Sequence, residues 1–316
     1  MALKYVFGPV GSRRLGVSLG VDLVTRKTCS QNCPYCEAGL TTLLTLERRE
    51  YVPAAEVEAE LEAVLSGHPK LDWVTFSGAG EPTLNSGIGE VAAFIKHRFP
   101  EYRLCLLTNG TLLGDPEVAR EVACCDLVVP DLDASNSEEF ELINHPVPGF
   151  TFERFVDGLR RFSHGFKGRI YLEMFLAEGV NDSDASLARF VEILRTLRID
   201  RVQLNTLDRP GCDPQLKPVG ADTMRRFIAA IEPVVPVEAV GRFRYRSEPL
   251  RDPMPADELS CRVVALAGRR QVTFEDIALA AEVDRELLRR VVDDLVGRGL
   301  LTCERGERGI FYQAAE

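Results

Sequence analysis

The sequence lacks long apolar runs, clustered histidines and a surplus of positive charge. No stretch approaches the ~20 apolar residues that a transmembrane helix needs. The opening residues 1–11 carry no basic stretch followed by an apolar core, so a signal peptide is not expected and the expected compartment is the reducing cytosol. Its four histidines, His68, His97, His145 and His164, are scattered without ligand spacing. There is no phosphate-binding loop, zinc-protease motif or nucleophile elbow. Internal repeats and low-complexity tracts are also missing. Lys plus Arg total 38 against 48 Asp plus Glu, a net charge of −10. That balance argues against a general polyanion binder, although charge can be local.

What is present is a globular composition: 316 residues, 45 % apolar and 27 % charged. The length allows one large domain and a small one. Nine cysteines stand out. Their number is odd and the expected compartment is reducing, so a disulfide framework is not expected. Burial or metal ligation has to explain them.

Strand-like runs fall at residues 17–23, 73–77, 103–108, 127–132, 170–176 and 201–207. Helix-like stretches lie between and after them, at 55–65, 88–99, 116–122, 152–162, 186–195 and 222–231. This alternation predicts βαβ units on a parallel sheet. Six units joined by right-handed crossovers fit an α/β fold of the open or partial (β/α)6 barrel type. Residues 232–255 are proline-rich and read as the closing segment of the barrel and a linker. The expected domains are therefore 1–255 and 256–316. In the second, helices are expected at 259–267, 274–281 and 286–297, the last two capped by Thr273 and Asp284, then a hairpin at 300–304 and 309–313. Three helices and a hairpin resemble a winged helix. Its 9 Arg against 12 Asp and Glu give −3, which blunts the counterion release that drives nucleic-acid binding. A nucleic-acid surface, a protein contact and a substrate lid all stay open for it.

The sharpest signal is Cys29-Ser-Gln-Asn-Cys33-Pro-Tyr35-Cys36, directly after the first strand. Clustered soft thiolates in a reducing setting point to zinc or an iron–sulfur cluster. Structural zinc normally takes four ligands, and the next cysteine is Cys105. Three thiolates leave one iron of a [4Fe–4S] cluster open to another ligand. The remaining cysteines, Cys105, Cys124, Cys125, Cys261 and Cys303, fall on apolar segments and are expected in the core, whereas Cys212 sits in a loop.

This CxxxCxxC trio, with an aromatic before its third cysteine, resembles the radical S-adenosylmethionine (radical SAM) superfamily. The resemblance implies that Cys29, Cys33 and Cys36 hold a [4Fe–4S] cluster whose open iron chelates the methionine part of S-adenosylmethionine. The reduced cluster then cleaves that cofactor to a 5′-deoxyadenosyl radical, which abstracts hydrogen. Gly78-Ala79-Gly80-Glu81-Pro82, after the second strand, resembles the superfamily's Gly-Gly-Glu-Pro segment, with Ala79 in place of a glycine. Glycines there let the backbone approach a ligand. By the same resemblance Tyr35 lies by the adenine, and Thr108-Asn109 close the third strand. Asp131 and Asp133 stand where relatives carry Ser-Leu-Asp-Ala, and Asn205 could reach the adenosine. An aspartate at position 131 would repel a carboxylate but suits ribose hydroxyls. The opening 7–16 and the segment 45–51 resemble the iron–sulfur oxidoreductase branch related to wyosine-type tRNA-modifying enzymes.

Candidate substrate-facing residues are Cys212, Glu173 and Arg13; a bystander thiol, an ion-paired structural acid and a surface salt bridge are the plain alternatives. Three functions are carried forward. The first is a radical SAM enzyme acting on a small molecule or nucleoside. The second is a tRNA-modifying relative, and the third is an iron–sulfur redox-sensing transcription regulator. The resemblance also implies an external electron donor such as flavodoxin or ferredoxin.

Overall fold

The computed structural model describes residues 3–12, 14–25, 27–209, 211–246, 256–268, 272–281, 285–306 and 309–315. The chain opens with β1 (Val6–Ser12) and β2 (Gly16–Val21), followed by β3 (Thr28–Cys29) and β4 (Leu43–Leu44). Helices and strands then alternate: α1 (Ala54–Leu65), β5 (Trp73–Phe76), α2 (Ile88–Arg98), β6 (Leu104–Thr108), α3 (Pro116–Glu121) and β7 (Leu127–Pro130). After α4 (Ser137–Ile143) and α5 (Phe152–Gly165) come β8 (Arg169–Leu176), α6 (Asp184–Leu194), β9 (Arg201–Thr206), α7 (Ala221–Ile231), β10 (Val237–Ala239) and β11 (Tyr245–Arg246).

Nine of these strands form one sheet in the order β1-β2-β5-β6-β7-β8-β9-β10-β11. From β2 to β10 every neighbouring pair is parallel, and β11 returns antiparallel to β10. The order is linear, so the architecture is the partial α/β barrel that the alternation predicts. All six expected strands are present. The seventh parallel strand, β10, lies in the segment read as closing piece and linker. Three residues after Pro233 and Pro236 are too short to show a strand pattern. Only its pairing, with Val237 opposite Val202, reveals it.

Local chemistry sets the element ends. Asp115 accepts the N–H of Glu117 ahead of Pro116, Thr151 caps α5, and Ser183 caps α6. Strand periodicity then sorts side chains between the two faces of the sheet. In β8, Ile170, Leu172, Met174 and Leu176 are fully buried and join the apolar core. Tyr171, Glu173 and Phe175 alternate with them, and Phe175 meets the cysteine loop. That face carries the chemistry; the other carries the packing.

The chain divides into two compact units, residues 1–10 with 18–247, and residues 11–17 with 248–316. The second contains α8 (Ala256–Ala267), β12 (Val272–Thr273), α9 (Phe274–Ala281), α10 (Arg285–Gly297), β13 (Leu301–Gly306) and β14 (Gly309–Ala314). Its strands form an antiparallel sheet in the order β12-β14-β13. Leu259, Val263, Ile277, Leu288, Val292 and Leu295 are buried in a core of its own. Thr273 Oγ1 accepts the Asp276 N–H at 3.2 Å while Asp276 Oδ2 accepts the Thr273 N–H at 2.9 Å, a reciprocal cap. Asp284, expected to cap α10, lies outside the described residues.

The core assignment of the cysteines needs correcting. Cys105 and Cys125 are buried, but Cys124, Cys261 and Cys303 are exposed. On α8 the buried row is Leu259, Val263 and Ala267, one residue every four, and Cys261 falls between its members on the outer side. Cys303 follows the exposed Thr302 on β13, and Cys124 precedes Cys125 in the turn after α3. An apolar neighbourhood in sequence does not fix a residue's face. Among the described residues, no helix is long and apolar enough to cross a membrane.

Candidate functional site

The cysteine loop leaves β3 and returns through β4, and these two strands pair in parallel. Thr45 N–H donates to Cys29 O at 3.0 Å, and Asn32 Oδ1 accepts the Thr41 N–H at 2.8 Å. Inside the loop, Cys36 N–H donates to Cys33 O at 3.1 Å. The trio is therefore held on a fixed backbone.

The segment after β5 packs directly on that loop. Glu81 N–H donates to Thr28 O at 3.0 Å. A Cβ built on Gly80 would stand 1.9 Å from the same oxygen, so only glycine permits the approach. Gly78 has φ +152°, and a Cβ there would meet the Asp22 carboxyl group. Asp22 Oδ2 accepts the Ala79 N–H at 3.0 Å. Ala79, where the segment departs from Gly-Gly, thus has its N–H engaged by the Asp22 carboxyl group, just past the end of neighbouring β2.

Each cysteine sulfur has its own N–H donor. Asn109 Nδ2 stands 3.5 Å from Cys29 Sγ, Asn144 Nδ2 3.8 Å from Cys33 Sγ, and Lys27 Nζ 3.1 Å from Cys36 Sγ. Burial, and next the Glu81 carboxylate, push the Cys29 thiol up to about 11. Burial also pushes Cys33 well up, with Asp133 next in weight. Burial acts to lower the Lys27 ammonium, but its interactions with Cys29, Cys36 and Cys33 outweigh it and the net shift is upward. Among the described residues, no three His, Cys, Asp or Glu side chains converge on a point suited to a single metal ion. A cluster makes a different demand, one thiolate per iron. Three soft sulfurs on one fixed loop, each facing an N–H donor, fit the iron–sulfur group that the resemblance implies.

The strand ends beyond the loop carry the other expected residues. Glu81 is 2 % exposed. It accepts from Thr83 N at 3.0 Å, Thr83 Oγ1 at 2.6 Å, Thr108 Oγ1 at 2.7 Å and Asn109 N at 2.8 Å. Burial raises its carboxyl group even so. Its carboxylate locks the end of β6 to the turn at Pro82, which places Asn109 on Cys29. Asp133 accepts the Tyr35 hydroxyl in a short bond. It also accepts Asn144 Nδ2 and the Phe175 N–H, both at 2.9 Å. Burial is the main cause that lifts Asp133 to about 6. Tyr35 stacks on Phe175 with ring centroids 4.0 Å apart. The backbones of Asp131 and Glu173 form a bridge that continues the β7–β8 pairing, and Asn205 Nδ2 donates to Glu173 Oε1 at 3.0 Å.

The segment after β9 lies across the cysteine loop. Asp213 N–H donates to Pro34 O at 3.0 Å, Cys212 Sγ is 3.2 Å from Cys36 O, and Arg209 pairs with Glu37 at 3.0 Å. A Cβ on Gly211 would come within 2.7 Å of Pro34 O. Cys212, taken from the sequence as a loop cysteine, is thus beside the trio, and Glu173 is at the strand ends with Asn205. Arg13 lies outside the described residues.

Sequence reasoning missed Lys27, Asn144, Asp22 and Phe175. Lys27 gave one faint signal, its position two residues before Cys29. Asn144 gave none, because it comes from the far side of the barrel. It caps α4, and His145 after it adopts φ +43°. That reversal turns two carbonyls, Asn144 O and His145 O, toward Asn32 N–H at 3.0 and 3.1 Å, and so joins α4 to the cysteine loop.

Comparison with known proteins agrees with this geometry. A Methanocaldococcus jannaschii UPF0026 protein is 24 % identical over 297 residues, covering 92 % of this chain and 91 % of that protein. A Brachyspira hyodysenteriae protein named GTPase Obg is 38 % identical over 223 residues, which are 71 % of this chain. The chain spans only 33 % of that protein's length. The crystal structure of a radical SAM methyltransferase from Sphaerobacter thermophilus shares the fold, with a TM-score of 0.55 at 21 % identity over 70 % of this chain and 66 % of that one. The radical SAM superfamily profile matches residues 23–191, a span that holds the cysteine loop and the ends of β5, β6, β7 and β8. The chain belongs to the radical SAM superfamily.

Proposed function

We propose that Cys29, Cys33 and Cys36 hold a [4Fe–4S] cluster and that the chain cleaves S-adenosylmethionine reductively to abstract hydrogen from a small-molecule or nucleoside substrate. Superfamily membership makes the chain an enzyme and implies both an iron–sulfur cluster and S-adenosylmethionine. When bound, that pair supplies an adenosyl radical, and the protein supplies position and shelter. The observation that carries the reading is the set of three sulfurs, each with an N–H donor, beside the Gly78–Pro82 segment.

In this reading the chain's own residues do the following. Gly80 and Glu81 keep their backbone pressed on the cysteine loop, and Gly78 to Pro82 line the place for the methionine part. Tyr35, held by Asp133 and backed by Phe175, has its orientation fixed to present an edge or face to the adenine. Thr108 and Asn109 hold the far wall. Asp131, Glu173 and Asn205 are hydrogen-bonding groups for ribose or substrate. The strap through Cys212 excludes water from the side of Cys36.

The electron comes from a partner of flavodoxin or ferredoxin type, in a reducing compartment. The segment 256–316, with its helices and antiparallel sheet, is read as a winged-helix module. Its net charge of −3 favours a protein contact or lid over a nucleic-acid grip. The test is anaerobic reconstitution of Cys33→Ala beside Cys105→Ala. The reading predicts about four irons per chain for the wild type, retention of them in Cys105→Ala and loss in Cys33→Ala. Equal iron in both variants would overturn it.

A further inference from the structure

Two of the three cysteine sulfurs meet neutral amides, Asn109 and Asn144; the third meets a full positive charge. Lys27 is only 5 % exposed, and its Nζ stands 3.1 Å from Cys36 Sγ. Its backbone cannot drift. Thr42 N–H and Leu43 N–H donate to Lys27 O at 3.0 and 3.2 Å, and Lys27 N–H donates to Thr42 Oγ1 at 3.0 Å. These bonds tie the start of the cysteine loop to its end, so the ammonium is delivered to one place. A lysine left in water would cost nothing. A buried ammonium is tolerated only beside compensating negative charge, and here the atom facing it is a thiol sulfur.

We propose that Lys27 is a positioning residue that sets the reduction potential of the cluster through a charge-assisted N–H···S bond to Cys36. The inference rests on the reading that the trio holds a cluster. Reduction adds one electron, and hence one negative charge, to the group beside the ammonium. A fixed positive charge at this distance stabilises the reduced state more than the oxidised one. The effect is larger in a poorly solvated site than in water. Hydrogen bonds to cluster sulfurs are an established route to the same end. Lys27 therefore raises the potential, and so eases reduction by a weak physiological donor. Asn109 and Asn144 act in the same direction with partial charges only.

The test is a redox titration with dithionite as the one-electron reductant, followed by electron paramagnetic resonance. It uses the anaerobically reconstituted full chain as wild type, Lys27→Met, Lys27→Gln and Lys27→Arg. Iron content and the wild-type signal are read first. A wild type that takes up no cluster would sink the underlying reading rather than this one. With the cluster present, Lys27→Met and Lys27→Gln are expected to titrate at a more negative midpoint, and Lys27→Arg close to the wild type. The neutral glutamine keeps an N–H donor, so it covers the case in which methionine prevents loading. Unchanged midpoints in the neutral variants would overturn the proposal. So would an arginine variant shifted as far as the neutral ones, or loss of iron from all three, which would make Lys27 a loop anchor instead.

Discussion

Glu81 and Gly80 show how neighbouring residues build one site by different means. The Glu81 carboxylate gathers four donors from the turn at Pro82 and the end of β6, while Gly80 contributes the lack of a side chain. The 1.9 Å approach to Thr28 O leaves no room for a methyl group. Gly80→Ala is therefore expected to lower stability by about 1–3 kcal/mol or more, as overpacking does. It should also reduce iron uptake, because the backbone it would push is the cysteine loop. Thermal melts and iron assays check both, and full loading at wild-type stability would refute the close-approach argument. Ala79→Gly, which adds no atoms there, should leave loading unchanged. At this scale the cysteine trio was legible because its ligands are contiguous and thiolate chemistry is restrictive. Lys27 and Asn144 were not, since a lysine or an asparagine in a loop carries no pattern until folding brings it to a sulfur. The expected cofactor residue Asp133 turns out to spend its carboxylate on Tyr35, Asn144 and Phe175, which only the packing reveals.

Among the elements, the chain entering β1 is held by one buried acid. Glu60 on α1 accepts the N–H groups of Lys4, Tyr5 and Val6, each at 2.9 Å. Burial alone would raise the Glu60 carboxyl group, but these three donors hold it below the usual range. Its stabilising share is thus complete above the ordinary glutamate value and is lost as pH falls through the lowered one. Glu60→Gln is expected to cost about 1.5–3 kcal/mol at neutral pH, the range for hydrogen bonds to a charged group. Denaturant melts across pH should show the gap between wild type and variant narrowing below about pH 4. A gap independent of pH would contradict the role given to the charge. Long periodic elements such as α5 and β8 were readable in advance, because their apolar spacing alone sets the face. The strand β10 was not, since three residues between a proline-rich turn and a charged loop have no periodicity.

At the scale of the whole molecule, two separate apolar cores imply two cooperative units. Leu288 lies at 0 % exposure in the smaller core. Leu288→Ala is expected to destabilise that unit by about 2–5 kcal/mol while cluster loading in the barrel stays intact. Calorimetry with iron analysis would show this, and loss of iron together with the lower transition would mean that the units are not independent. The overall charge of −10 argues against a general electrostatic grip on nucleic acid. If nucleic acid were gripped electrostatically, its affinity would fall steeply with salt.

The central claim is that this barrel cleaves S-adenosylmethionine with an electron delivered to a cluster on Cys29, Cys33 and Cys36. The most direct measurement is 5′-deoxyadenosine formation by the anaerobically reconstituted protein, given S-adenosylmethionine and dithionite. The account predicts 5′-deoxyadenosine that requires both the reductant and Cys33. A fully loaded cluster that never yields it would contradict the account.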